Sequence, residues 1–528
     1  MWIRGFRLSL LAVAPVLAAG LLAGPSAGAV TAGACRSWNG SQPVNPSPNG
    51  LNQLESIAAV SACDVWAVGS TDPGNGSGGQ AVIEHWTGGS WAVSPIPPLA
   101  GVSRIELSGV SASASTVWAV GDATDSATGI ARTLTLRWGG TRWVRVGSPS
   151  PGTGDAHLES VDALSPTDVW AVGSASDGTA PLALQWNGSQ WVSRQFPPGG
   201  GHVELIAVSA VLDSDVWALG HDGPGGPPVM YHWDGSHWIQ KTVTVPPGGQ
   251  LTGLTAVAGN DAWAAGFQGS GLQQTLVMHW DGSGWNPVPS PNPGNHNQDE
   301  NQLLGMVSSA AGDVWAAGIY EQQGGPDHPF VLHWDGRSWA GAAVNAPGQG
   351  TGNFLYGLAV SGPGQVWTAG SDGSHMFAAP VPAVPDATGL VAGAAIATVT
   401  TYGLAGPAGP LGHTTNCPAS SSGLVVATDP PAGQLVPFGT PVGLTVCDGP
   451  LMLTVPNVRT FDDASARSTI TGAGLTVGTL TMTPDCTLSA GDVLSQSPLS
   501  GALVAPGTPV NLTESTGTKA NGTPCITE

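Results

Sequence analysis

The chain has 528 residues, with 14 Lys or Arg against 35 Asp or Glu, a formal net charge of −21. That balance excludes the clustered cations that bind nucleic-acid phosphates or an anionic membrane surface. Its 78 Gly and 45 Pro approach the range of unfolded chains, yet 41% hydrophobic residues and 21 Trp exclude disorder and indicate a turn-rich, mostly β fold.

The N-terminus places Arg4 and Arg7 before an apolar run, Leu8–Ala23, followed by the small residues Ala27-Gly28-Ala29. This order predicts a secretory signal over residues 1–29, cleaved near Ala29. Export makes disulfides available to the six cysteines, Cys35, Cys63, Cys417, Cys447, Cys486 and Cys525. None are in C-x-x-C spacing, which argues against a zinc or redox site. No later segment is long and apolar enough to span a bilayer.

From there a motif of the form Asp-Val-Trp-Ala-Val-Gly returns, centred on Trp66, Trp118, Trp170, Trp217, Trp263, Trp315 and Trp367. The period is near fifty residues, and each unit holds four strand-length runs joined by Gly-bearing turns. That is the signature of a propeller with one four-stranded blade per repeat. Two further Trp series follow in register. One is Trp86, Trp138, Trp186, Trp233, Trp280 and Trp334; the other is Trp91, Trp143, Trp191, Trp238, Trp285 and Trp339. The last repeat breaks off without this pair. The segment Cys35–Pro48 resembles the missing piece, so the sequence predicts a seven-bladed propeller over residues 35–376, with the N-terminal segment supplying the outer strands of the seventh blade. Closure of this kind removes a free sheet edge.

Residues repeated in every blade are explained by packing before ligand binding. The seven motif Trp are therefore read as structural. Asp168 and its equivalents Asp64, Asp215, Asp261 and Asp313 are expected to accept backbone N–H bonds at a turn. Gly173 is expected to allow close backbone approach. His85, His232, His279 and His333 recur by register, with Arg137 and Gln185 in their place in two blades. No residue is assigned a catalytic, cofactor-binding or metal-binding role. The better ligand candidates are loops that differ between blades, Asn295–Gln302 and Glu321–His328.

The words "DVWAVG" and "HWDGSxW" resemble propeller repeats of secreted proteins of high-GC Gram-positive bacteria. The resemblance implies the fold and no particular ligand.

After Trp367 the Trp series stops, and residues 377–383 read as a Pro/Ala linker. Two segments, 384–448 and 455–528, then align with each other. Each predicts a helix followed by a small sheet. Ala395, Val399 and Tyr402 share one helix face, as do Ala466, Ile470 and Ala473. Each helix ends in Gly-Leu, at Gly403-Leu404 and Gly474-Leu475, the pattern of a left-handed cap. Asp462 or Asp463 is placed to cap the second helix.

The segments "VPNV", "AGLTVG" and "AGDVLSQSPLSGALVAPGTPVNL", with weaker counterparts in the first copy, resemble the PASTA domain. The resemblance implies small modules that contact peptidoglycan or muropeptides, or that space other domains. Pairing of neighbours would give Cys417–Cys447, Cys486–Cys525 and Cys35–Cys63. The resulting expectation is an exported, monomeric, cell-wall-associated binding protein without enzymatic activity, whose propeller presents a glycan- or protein-binding surface. The alternatives are an extracellular carbohydrate-active hydrolase or lyase, and a ligand-free structural or adhesive spacer. No nucleophile elbow, HExxH or kinase loop is present.

Overall fold

The computed structural model describes residues 41–525, apart from 74–78, 114–115, 177, 198–201, 270–271, 295–299, 322–324, 345–352, 363–364, 383, 402–403, 435 and 437–439. The segment expected to be a secretory signal, together with Cys35 and Trp38, lies outside the described residues. The structure is a β-propeller followed by two small α+β modules. Six four-stranded antiparallel sheets span residues 51–93, 102–146, 157–193, 203–241, 250–288 and 301–343, and a three-stranded sheet spans 354–382. The strand order within each sheet follows the chain. Innermost strands of consecutive sheets touch around the ring, and the innermost strand of the seventh sheet packs on that of the first.

The second strand of each sheet carries the repeated motif, and it is buried on both faces because each sheet is covered by a neighbour on either side. Its Trp fills the gap between sheets. Trp66 packs on Trp138 and Trp143 of the next sheet, with ring centroids 4.7 and 5.3 Å away. Trp118, Trp170, Trp217 and Trp263 repeat the arrangement on the next pair in line. Trp367 of the seventh sheet completes it on Trp86 and Trp91 of the first, at 5.7 and 5.8 Å. In each triad one ring meets another edge-on, at 78° to 90°, the favourable geometry for ring quadrupoles. Trp315 faces the sheet without the pair and packs instead with Phe377 and Val381.

The motif Asp has a different partner from the one expected. Its carboxylate accepts from side chains rather than from a turn backbone. Asp64 accepts from the indole N–H of Trp66 at 2.8 Å and pairs with His85 Nε2 at 2.8 Å, while His85 stacks on Trp66 with centroids 3.6 Å apart. Asp261 with Trp263 and His279, and Asp313 with Trp315 and His333, form the same triangle. In the second sheet Thr116 and Arg137 replace Asp and His. Arg137 Nε donates to Thr116 at 3.2 Å and its guanidinium lies over Trp118, 5.7 Å from the ring centroid. Gly173 is required by close approach, since a Cβ there would lie 2.1 Å from the His157 carbonyl oxygen.

Two expectations at the ring closure are corrected. Met376–Pro382, placed by composition largely within a linker, is the third strand of the seventh sheet and pairs with Gln365–Ser371. The N-terminal segment does reach this edge, but its described part, residues 41–50, forms no strand. It is held by side chains: Met376 N donates to Asn45 Oδ1 at 2.7 Å and Ala378 N to Gln42 Oε1 at 3.1 Å. The next outward positions are Pro380 and Pro382, which have no N–H to satisfy. Asn52, fully buried, ties Ser47, Gly50 and Ser374 together.

Glu84 is buried in the third strand of the first sheet, opposite Ala67. The same position elsewhere holds Leu136, Leu184, Tyr231, Met278 and Leu332. Its two carboxyl oxygens lack a hydrogen-bond partner of ordinary geometry among the described residues. Burial pushes its pKa up to about 7, opposed in part by the nearby backbone of Val44.

The modules share one topology. In the first, Gly412–Thr414 runs parallel to Gly443–Cys447, which pairs antiparallel with Val425–Asp429. In the second, Thr476–Thr483 runs parallel to Pro509–Ser515, which pairs antiparallel with Val493–Ser497. The helices Ala392–Thr401 and Asp463–Gly472 bury Ala395 and Val399, and Ala466 and Ile470. Ala473 stands just past the second helix as its C-cap, and Tyr402 and Gly403 lie outside the described residues. Asp462 caps the second helix by accepting from Ser465 N at 3.0 Å, and Gly474 leaves it at φ +76° before the buried Leu475. Disulfides join Cys417 to Cys447 and Cys486 to Cys525, with Cα separations of 6.0 and 5.6 Å. Cys63 is disulfide-bonded. The expected pairing of Cys63 with Cys35 involves a residue outside the described ones.

Two outcomes follow. Trp367→Ala removes the indole that seats the last sheet on the first, and should cost about 3–5 kcal/mol in urea unfolding. A loss under about 1 kcal/mol would show that this contact does not hold the ring. For Glu84 the folded pKa lies above the ordinary value of 4.5. Between those two values the unfolded chain has released a proton that the folded chain keeps, so stability falls as pH rises, by roughly 3 kcal/mol in all. Glu84→Gln should flatten the pH 5–8 unfolding profile and be the more stable protein at pH 8; an unchanged slope would assign the pH dependence to other groups.

Candidate functional site

The innermost strands of the seven sheets enclose a central channel of about 780 Å³. Such strands have one unpaired edge, and the channel satisfies it with short polar side chains. Ser56 Oγ accepts from Val110 N at 3.1 Å, Ser111 Oγ from Ala163 N at 3.0 Å, Ser160 Oγ from Val208 N at 3.2 Å, and Ser209 Oγ from Ala256 N at 2.9 Å. Asp162 does the same for Ala210 N at 2.8 Å. Burial pushes the Asp162 carboxyl up to about 6, with the Ala210 N–H, the Ala163 N–H and the Ser111 hydroxyl pulling the other way. Each bond joins one inner strand to the next, so the channel wall is stitched from inside.

One rim of the channel is chemically lopsided. Glu55, Glu106, Glu159 and Glu204 stand on the inner strands of the first four sheets, and Gln250, Thr252, Gln302 and Tyr356 on those of the last three. Burial raises the carboxyl pKa of Glu55 and of Glu159, and the charge of Glu204 raises Glu159 further. Burial, with Glu55 and Asp327 nearby, pushes the Tyr356 hydroxyl up to about 12. Glu106 is ion-paired with Arg104, and Glu55 accepts from Gln53 Nε2 at 2.7 Å.

Beside this rim, between the third and fourth sheets, opens a cleft of about 750 Å³ whose polar groups include His157, Asp155, Glu204, His202, Asp222 and Thr179. His157 is held by a carboxylate from another sheet: its Nδ1 lies 2.9 Å from Asp122 Oδ1, and the Asp122 side chain is only 5% exposed. The hydrogen bond to Asp122 is the main reason the His157 pKa is raised; burial opposes it, and Asp122, Glu159 and Asp155 add charge. A ring oriented this way can donate a proton or a hydrogen bond. Unlike the motif histidines, it follows no register. The equivalent positions on the other inner strands are Gln53, Glu106, Glu204, Gln250, Gln302 and Phe354.

The described parts of the two loops singled out by sequence meet each other and line neither cavity. Glu321 N donates to the Glu300 carbonyl at 2.9 Å, and burial together with Glu321 and Glu300 raises the Asp327 carboxyl pKa. Residues 295–299 and 322–324 of these loops lie outside the described residues. The His157–Asp122 pair was not found from sequence, since its members are 35 residues apart on different sheets. The signal that could have found it is departure from the repeat at a rim position. Among the described residues, no group of three or more His, Cys, Asp or Glu side chains is placed to hold a metal ion. No helix among them is long and apolar enough to cross a membrane.

The PASTA domain family matches residues 453–516, the second module. A probable serine/threonine-protein kinase of Corynebacterium efficiens is 33% identical over 111 residues, covering 21% of this chain and 17% of the kinase. One of Clostridium perfringens is 34% identical over 95 residues, covering 18% and 14%. The chain thus spans less than a fifth of the curated relatives it matches. The structure of YCF48 bound to D1 peptide aligns over 66% of this chain and 99% of its own at 12% identity, with a TM-score of 0.42. The three-PASTA-domain structure of a Staphylococcus aureus Ser/Thr kinase aligns over 25% and 65% at 21% identity, with a TM-score of 0.22. A polysaccharide lyase, the PL25 ulvan lyase, aligns over 64% and 95% at 10% identity, with a TM-score of 0.41.

The geometry makes one prediction about the dyad. Asp122→Asn removes the charge and the acceptor that favour the imidazolium, so the His157 pKa should fall. An NMR titration of the imidazole reads this directly, and an unmoved midpoint would mean that Asp122 does not set the state of His157.

Proposed function

We propose that the protein is an exported, cell-wall-associated binding protein, in which the C-terminal modules contact peptidoglycan and the propeller presents a ligand-binding face. The observation that carries this reading is the PASTA domain at residues 453–516, next to a first module of the same strand topology. The kinases similar to this chain over 111 and 95 residues support it as sequence relatives. Disulfides in both modules fit an oxidising compartment. They also suit small modules, whose thin cores gain most from a covalent staple.

The propeller is read as a binder without catalytic activity. Its motif Asp side chains pair with His or Gln, its motif Trp are buried between sheets, and the channel hydroxyls of Ser56, Ser111, Ser160 and Ser209 accept from backbone amides, which leaves the rim and its cleft as the places for a ligand. Co-sedimentation with purified peptidoglycan tests the wall contact. The full chain should pellet, and the same chain ending at residue 382 should stay in the supernatant. Equal behaviour of the two proteins would remove the modules from wall binding.

A further inference from the structure

The cleft between the third and fourth sheets has a composition that selects among ligands. Its described lining includes Asp155, Glu204 and Asp222, the imidazoles of His157 and His202, and the hydroxyls of Ser174 and Thr179, with no Lys or Arg. It adjoins Glu159, so negative charge continues from the cleft onto the channel rim. A uronate, sulfate or phosphate ligand would meet this charge with no Lys or Arg in the described lining to receive it. The opposite holds for a protonated amine, which donates three hydrogen bonds and repays carboxylate desolvation.

The second observation is the His157–Asp122 pair. Asp122 is nearly inaccessible and spends its charge on one ring nitrogen, which holds the imidazole at the edge of a cleft of about 750 Å³. A buried carboxylate that orients a half-exposed ring in a cavity supplies a fixed donor among acceptors. Three carboxylates, a fixed donor and two hydroxyls in one lining match a scaffold that carries both an ammonium and hydroxyl groups.

We propose that this cleft binds a protonated primary amine carried on a polar, hydroxylated scaffold, with Glu204 and Asp222 receiving the ammonium and His157 donating to a hydroxyl. This deepens the reading of the propeller as a ligand-presenting face and rests on it. An amino sugar and a basic peptide side chain both offer the ammonium.

Calorimetry on the full chain at low salt separates the cases, with a β-1,4-glucosamine tetramer, its fully N-acetylated counterpart, tetralysine and a glucuronate oligomer as probes. The glucosamine tetramer should bind and the acetylated and glucuronate oligomers should not. Glu204→Gln and, separately, Asp222→Asn should each weaken binding by at least about tenfold, while Gln302→Ala on the neutral half of the rim leaves it unchanged. Binding of tetralysine but not of the glucosamine tetramer would overturn the hydroxylated scaffold, because tetralysine offers ammonium groups and no hydroxyl. Binding that ignores acetylation, indifference to both carboxylate variants when these melt like the parent, or no binding of either amine overturns the proposal. Peptidoglycan co-sedimentation of Glu204→Gln, run alongside, reports the wall contact separately, because that contact belongs to the modules.

Discussion

The structure depends on the contact of one indole with two others across each gap between sheets. A propeller sheet cannot bury its two faces alone, and a twisted neighbour leaves a wedge-shaped gap that small aliphatic side chains do not fill. An indole on the second strand, meeting a pair on the third and fourth strands of the next sheet, fills that wedge. The Asp–Trp–His triangles then fix the rotamer of the filling ring. Closure uses the same contact, with Trp367 on Trp86 and Trp91. The sheet that lacks the pair substitutes Phe377 and Val381, which explains how a blade without its last motif still seals the ring.

A ring assembled this way leaves seven inner strand edges facing the channel. Water would satisfy them in a wide channel, but here Ser, Asp and Thr side chains bridge one strand to the next. The inner wall is therefore committed to structure, as the outer motif is. What is left uncommitted is the rim, toward the outer ends of the inner strands, where residue type varies from sheet to sheet. The acidic half-ring and the His157–Asp122 pair both sit there.

Much of the fold was legible because it is repeated. The spacing of Trp66 through Trp367 sets the period, and the two later Trp series set the register. The helix faces of the modules were legible from Ala395 and Val399 and from Ala466 and Ile470. Two features were not. Met376–Pro382 has the Pro and Ala composition of a linker, and only its position at a sheet edge, beside Gln42 and Asn45, makes those prolines compatible with a strand. The motif Asp looked like a turn residue because its indole and imidazole partners come from side-chain geometry that a linear pattern does not carry. The candidate site was the least legible part, since Asp122, His157 and Glu204 belong to three consecutive sheets and meet only when those sheets pack.

That last point bears on how such a molecule acquires specificity. Substitution at a motif Trp disturbs two sheets at once, so the repeat is held by packing energy. Substitution at a rim position disturbs one side chain at the end of a strand. Gln53, Glu106, His157, Glu204, Gln250, Gln302 and Phe354 occupy one structural position yet range over amide, carboxylate, imidazole and phenyl side chains, a wider spread than any motif position shows. A seven-fold scaffold thereby carries an asymmetric surface. With carboxylates on four consecutive sheets and neutral side chains on three, that surface has a direction, and a cationic group approaching the rim meets its most negative sector over the first four sheets.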